Sequence, residues 1–180
     1  MIWLLALALG LLAGLVNGGR VDNFVRLKFR WPWLVIAAVV VRTAVLAPPL
    51  NHIDGAQWLY AASLGAIVLW AFLHSRRIPG IWLVGLGGLS NLAVILANGA
   101  RMPVESALAG DLLRHGPIGQ YIVMGAGTHL NALADWISIP PTPDAYSPGD
   151  LVIAAGLFLV AFLVARRRPE PGPIRPRRAV

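Results

Sequence analysis

Five apolar runs, separated by short polar or basic turns, leave this chain few folds to choose from. They are Met1–Val16, the stretch from Trp31-Pro32-Trp33 to about Ala47, Ala56–Leu73, Ile81–Ala97 and Leu151–Ala165. A helix of about 20 mostly apolar residues crosses the roughly 30 Å hydrocarbon core of a bilayer, and each run approaches that length. A soluble domain has too little polar surface to cover them. The chain is 57% hydrophobic and 13% charged, where ordinary globular proteins are about a quarter charged. The expected fold class is an all-α polytopic membrane protein of five transmembrane helices. A helical extracytoplasmic cap, residues 99–149, is expected between the fourth and fifth. Residues 1–168 form the membrane domain and 169–180 a basic, proline-rich tail.

The fourth run carries polar residues out of the membrane. Asn91 and Asn98 are seven apart, two helical turns, so they share a face, and Arg101 follows one turn later before Pro103 interrupts the helix. An amide at hydrocarbon depth is costly without a partner, so this face looks into protein or a wet cavity. The second run carries Arg42, an intramembrane charge with a structural role. It is expected to meet an outer acid (Asp54, Asp135 or Asp150) or backbone carbonyls, and not open lipid.

The connections supply the topology. The first run lacks a basic start and a cleavage site, so it reads as a retained helix. Its Ala6, Gly10, Gly14 and Gly18 form a small-residue stripe that lets another helix approach closely. Asn17–Trp31 mixes Arg20, Arg26, Lys28 and Arg30 with apolar residues, as an interfacial segment does. Pro48-Pro49 ends the second helix, and His74 to Gly80 is a tight basic turn. Beyond Arg101, Pro103–His115 reads as a short amphipathic helix. Pro117–Ile137, interrupted by Gln120, His129, Asn131 and Asp135, reads as a helix lying at the outer interface. Ile139–Pro143 reads as an extended spacer. In Ser147-Pro148-Gly149-Asp150 the serine can cap a helix and the aspartate faces its dipole.

With five spans, twelve of the fifteen basic residues fall on one side, and six of the eight acids fall on the other. The positive-inside rule then puts the N-terminus outside and the C-terminus in the cytoplasm of a bacterial inner membrane. The same bias accounts for the net charge of +7 without a nucleic-acid partner. The tail arginines, Arg166–Arg168 and Arg175 to Arg178, are expected to meet anionic lipid headgroups.

Without cysteine there is no disulfide and no thiolate nucleophile. No Gly-x-Ser-x-Gly or Gly-x-x-x-x-Gly-Lys motif points to a serine hydrolase or a nucleotide site. Neither a metal nor a cofactor is expected. The candidate ligand-binding set is Asn91, Asn98, Arg101, His129, Asp135 and Asp150. Arginine beside two amides suits phosphate or carboxylate, with Asn98 and Arg101 lining a space beneath the cap. Asp135 or Asp150 is expected within salt-bridge reach of Arg101.

The run Asn98-Gly-Ala-Arg101-Met-Pro-Val, the segment Leu133-Ala-Asp135-Trp-Ile-Ser-Ile-Pro140 and Ser147-Pro-Gly-Asp150 resemble a bacterial membrane family of unknown function, domain of unknown function 5317. The glycine-rich opening helix, Gly-Gly-Arg20 and Trp31-Pro-Trp33 fit the same pattern. The chain departs from that pattern at Ala100 and Ala134, where glycine is usual. The resemblance implies a fold and a membrane address but no activity. Two readings of function compete. One is a non-enzymatic membrane subunit or scaffold that binds protein or lipid partners, or a second copy of itself, through its small-residue stripes. The other is a protein handling lipid or isoprenoid phosphates at Arg101. A small-solute transporter is a weaker third.

Overall fold

The computed structural model describes residues 1–27, 29–47, 50–110, 112–117, 119–140, 142 and 144–167. Its α-helices are α1 (Ile2–Val16), α2 (Asp22–Val25), α3 (Pro32–Leu46), α4 (Ala56–His74), α5 (Ile81–Ala97), α6 (Leu112–His115) and α7 (Pro148–Ala165). The five long helices fall on the five apolar runs. Helix α7 is capped by Ser147 as expected, and Asp150, expected only to face the helix dipole, completes a full capping box. The Ser147 hydroxyl accepts from the Asp150 amide, the Asp150 carboxylate accepts from the Ser147 amide, and Pro148 occupies the first turn.

The spatial order is α1–α7–α5–α4–α3, so the last helix is wedged between the first and the fourth of the long ones. Glycine makes that wedge fit. A methyl group at Gly10 would meet the Phe158 carbonyl, and one at Gly14 would meet the Ala165 side chain. Across the other seam, Gly87, Gly149 and Gly156 bring the backbones of α5 and α7 into direct contact. The α1 stripe is therefore filled by α7 of the same chain. Gly18 lies beyond the helix with open space around it.

Helices α4 and α7 are long and apolar enough to cross a membrane, while α1, α3 and α5 are shorter apolar helices. Large apolar side chains point outward from all of them, including Leu4, Ile36, Leu59, Leu69 and Leu86. So much exposed apolar surface marks contact with something other than water. The tryptophans gather at the two ends of the bundle, with Trp3, Trp58 and Trp136 at one and Trp31, Trp33, Trp70 and Trp82 at the other.

At the second of these ends, α4 is pinned to the chain entering α3. The Arg30 amide donates to His74 Nε2 at 3.0 Å and Trp70 Nε1 donates to the Arg30 carbonyl at 2.9 Å. His74 Nδ1 lies 2.8 Å from the Trp70 carbonyl. Nδ1 must therefore donate and Nε2 accept, which is the neutral tautomer. Nearby, the Asn23 side chain donates to the carbonyls of Ala165 and Arg167 and closes the end of α7.

The segment between α5 and α7 covers the opposite end, but it is not the helical cap expected. Strand β1 (Met102–Val104) pairs in parallel with β2 (Tyr121–Val123), and an isolated parallel bridge joins Val104 to Asp135. Strands β3 (Ile137–Ser138) and β4 (Ala145–Tyr146) pair antiparallel. Among the described residues, only the four of α6 and two 3-10 turns, Ser106–Leu108 and Asn131–Leu133, are helical there. Pro103, Gly110, Gly116, Pro117, Gly119, Gly125 and Gly127 break the chain from 103 to 127 into runs of six residues or fewer, too short to hold a helix on their own. The expected helices over 103–115 and 117–137 are thereby corrected. The proposed spacer is corrected too, because Thr142 donates twice to the Ile139 carbonyl and the stretch turns between β3 and β4. Asp111, Pro141 and Pro143 lie outside the described residues, as does the chain from Arg168 onward with its expected headgroup contacts.

The reversal from α5 into β1 uses left-handed backbone at Gly99 and Ala100, both at φ 64°. An L-residue with a Cβ there costs roughly 1–2 kcal/mol. Ala100 is fully buried, so losing its methyl offsets part of the gain. Ala100→Gly is expected to be neutral or to stabilise by up to about 1 kcal/mol. Thermal unfolding of the detergent-solubilised protein tests this, and a loss of more than about 1 kcal/mol would contradict it.

Candidate functional site

Beneath the cap the ends of the helices do not close on one another. They leave a chamber of about 470 Å³. Its helix wall carries Trp3 of α1, Arg42 of α3, Tyr60 of α4, Asn91 of α5 and Asp150 of α7. The cap contributes Tyr121, Asp135, Asp144 and Tyr146 together with apolar side chains such as Met102 and Val104.

The α5–α7 wall is a closed hydrogen-bond circuit. Asn91 Nδ2 donates to Asp150 Oδ1 at 2.8 Å, and Ser147 Oγ donates to Asn91 Oδ1 at 2.9 Å. Asp150 Oδ2 accepts from the Ser147 amide at 3.1 Å. Each oxygen of the buried carboxylate therefore has a donor, and the circuit ties the start of α7 to the middle of α5. Sequence reasoning identified Ser147 and Asp150 as a cap. That Asn91 completes the pair is a tertiary fact.

Asp135 is placed by backbone pairing. Its amide donates to the Pro103 carbonyl at 3.0 Å and its carbonyl accepts from the Glu105 amide at 2.8 Å. This holds the side chain at the inner surface of the cap. It is only 6% exposed, and its Oδ1 has no hydrogen-bond partner. Burial pushes this carboxyl up to about 8; the like charge of Asp150 adds to the effect, and Arg42 opposes it. At pH 7 Asp135 therefore holds its proton.

Arg42 does not behave as expected. No described carboxylate lies within 4.0 Å of its guanidinium. The group sits instead over the Tyr60 ring at 4.3 Å, with the Trp3 ring at 6.0 Å. Cation–π contact of this kind stabilises a partly desolvated guanidinium by about 1 kcal/mol or more. Among the described residues the ion pair is that of the Met1 amine with Asp144 at 3.5 Å. Asp144 also accepts from the Tyr146 hydroxyl at 3.1 Å.

Of the expected ligand-binding set, Asn91, Asp135 and Asp150 come together in the chamber wall. Asn98, Arg101 and His129 do not line it. Asn98 is a clamp: Nδ2 donates to the Val94 and His129 carbonyls, and Oδ1 accepts from the His129 amide at 2.8 Å. It ties the cap to the end of α5. The His129 side chain is exposed. Arg101 forms no ion pair with a described acid, and its Nε is buried without a partner. The chamber's arginine is Arg42, and the expected pairing of Arg101 with Asp135 or Asp150 is corrected. Tyr60 was not among the sequence candidates, although Gln57, Tyr60 and Leu64 recur at helical spacing on α4 and all three are buried. Among the described residues no group of three His, Cys, Asp or Glu side chains is arranged to hold a metal ion.

No curated protein and no solved structure matches the chain. A family model does match residues 26–162, a span that includes the chamber's helix wall from Arg42 onward and the whole cap. The chain therefore belongs to the family of unknown function called domain of unknown function 5317.

Proposed function

We propose that this is an integral membrane protein crossing the bilayer five times, N-terminus outside and C-terminus in the cytoplasm. Its outward chamber binds a small amphiphilic guest without transforming it. Two helices of spanning length and three shorter apolar ones support the count. At 1.5 Å per residue a 15-residue helix covers only about 22 Å. Local bilayer thinning and interfacial tryptophans accommodate such a shortfall, and tryptophans stand at both ends of this bundle. Twelve of fifteen basic residues on one side support the orientation.

The observation that carries the binding role is the chamber itself. It sits at the capped end of the bundle, half walled by apolar and aromatic side chains, with Arg42 and Asp135 in its lining and Asp135 Oδ1 buried without a partner. The lipid-phosphate reading centred on Arg101 loses ground, since that residue stands outside the lining. A scaffold that recruits partners through the α1 stripe loses its surface to α7.

Native mass spectrometry of the detergent-purified protein tests the binding role. We expect a stoichiometric adduct of several hundred daltons that Tyr60→Ala releases. Protein that flies only as the bare chain, under conditions that preserve detergent-resistant lipid adducts on control proteins, would refute it. For the topology, alkaline phosphatase fused after Arg167 should be inactive in intact bacteria, and fused within the cap at Gly127 it should be active. The reverse pattern would refute the orientation.

A further inference from the structure

We infer that the chamber takes a zwitterion, a guest whose anionic group sits on Arg42 and whose primary ammonium sits on Asp135. This rests on the binding role proposed above and names the chemistry of the guest.

The inference comes from which charges around the chamber are already engaged. Asp150 has both oxygens bonded, one by Asn91 and the other by the Ser147 amide. Asp144 is held by the N-terminal amine and the Tyr146 hydroxyl. Two ionisable groups of the lining remain without a described partner for their charge. Arg42 stacks on Tyr60 with its in-plane donors unclaimed by any described acid. Asp135 is buried, with Oδ1 unpartnered.

Arg42 is a cation and Asp135 becomes an anion once it gives up its proton, and they stand on different walls, one on α3 and the other on the cap, farther apart than a salt bridge. A purely anionic guest would satisfy the guanidinium and leave Asp135 protonated, with only its single O–H to offer. A purely cationic guest would do the opposite and be repelled by Arg42. A guest carrying both charges, separated by a short linker, satisfies both walls at once. Asp135 Oδ1 lacks a hydrogen-bond donor, and a quaternary ammonium has none to give. Asp135 therefore calls for an ammonium with N–H donors. Phosphoethanolamine chemistry meets each requirement, either as the headgroup of an outer-leaflet lipid or as a free small molecule.

The groups facing Asp135 are Asp150 from α7, Arg42 from α3, Tyr60 from α4 and Tyr121 from β2. Asp135 must lose its proton to accept the ammonium, so binding releases a proton.

The test uses the full chain in dodecylmaltoside, titrated calorimetrically with four probes. They are dihexanoyl phosphatidylethanolamine, dihexanoyl phosphatidylcholine, dihexanoyl phosphatidylglycerol and glycerophosphoethanolamine. The ethanolamine lipid should bind at least tenfold more tightly than the choline and glycerol lipids. Its affinity should rise severalfold from pH 6 to pH 8. Arg42→Gln and Asp135→Asn should each cost tenfold or more, with folding confirmed by the melting transition. Equal affinity for ethanolamine and glycerol lipids, or Asp135→Asn binding like the wild type, overturns the zwitterion. Failure of every probe to bind overturns the zwitterion, and the binding role falls with it only if native mass spectrometry also shows the bare chain. Glycerophosphoethanolamine separates the sources: affinity equal to that of the lipid means a free zwitterion, and much weaker affinity means a lipid headgroup.

Discussion

Asp135→Asn is expected to make the protein more stable at neutral pH, although it replaces a buried charged residue type at the centre of the cap. The Asp135 carboxyl is raised from 3.8 to about 8 in the folded protein, so the folded state holds a proton that the unfolded chain releases. A group raised in this way contributes its full stability below about pH 4. The contribution is lost progressively as pH rises to about 8 and is constant beyond that. Each unit of the interval is worth about 1.4 kcal/mol at most, and relaxation in a partly hydrated cap reduces it. The net penalty at pH 7 is on the order of 3 kcal/mol. Asparagine resembles the protonated acid in shape and does not ionise, so it escapes the penalty. Melting temperatures of delipidated wild type and variant at pH 5, 6, 7 and 8 should diverge steadily, the variant being higher at pH 8. Parallel curves would show that Asp135 is ionised and satisfied in the folded protein. A residue that lowers stability where it stands, in a cavity wall, is what a binding site is expected to contain.

Gly149→Ala is expected to disrupt the bundle more than any other single methyl group. The added Cβ would occupy the position of Asn91 Oδ1 and press on the Gly87 carbonyl. Neither can retreat cheaply. The Gly87 carbonyl belongs to the backbone of α5, and Asn91 is held by Asp150 and Ser147. Overpacking costs about 1–3 kcal/mol, and breaking the Asn91 circuit leaves buried polar atoms unpaired at about 1–3 kcal/mol more. The sum is about 2–6 kcal/mol, enough at its upper end to abolish assembly of a marginally stable protein. Gly125→Ala and Gly127→Ala are the controls. Nothing lies within 4 Å of a Cβ at either position, and both should stay within about 0.5 kcal/mol of wild type. Size-exclusion profiles and melting curves give the comparison, and a well-behaved Gly149→Ala with normal stability would contradict the packing described for α5 and α7.

The long helices were legible in the sequence because their signals are local. Apolar runs of 15 or more residues bounded by Pro32, Gly55, Gly80 and Ser147 state both the element and its ends. Ser147-Pro148-Gly149-Asp150 announces α7 for the same reason, since a capping box is completed within four residues. The glycine stripe on α1 announced a close helix contact but not its partner. Only packing shows that α7, more than 130 residues later in the chain, fills it.

The cap and the chamber were not legible in this way. Strands of two or three residues carry no periodicity, and their partners lie far off: Met102 pairs with Tyr121, and Val104 bridges to Asp135. Arg101 looked like the binding arginine because it follows Asn91 and Asn98 along one helix face. The left-handed turn at Gly99 and Ala100 breaks that face, and Asn98 is spent on His129. Arg42 looked like a charge in search of an acid, and a ring from the next helix met it instead. Chain composition by itself determined that this protein is a bundle of apolar helices with a polar segment at one end, because hydrocarbon burial and backbone satisfaction depend on runs of neighbours. Tertiary structure alone decided which buried charges are satisfied and which stand open, because that depends on side chains meeting across helices that the sequence keeps far apart.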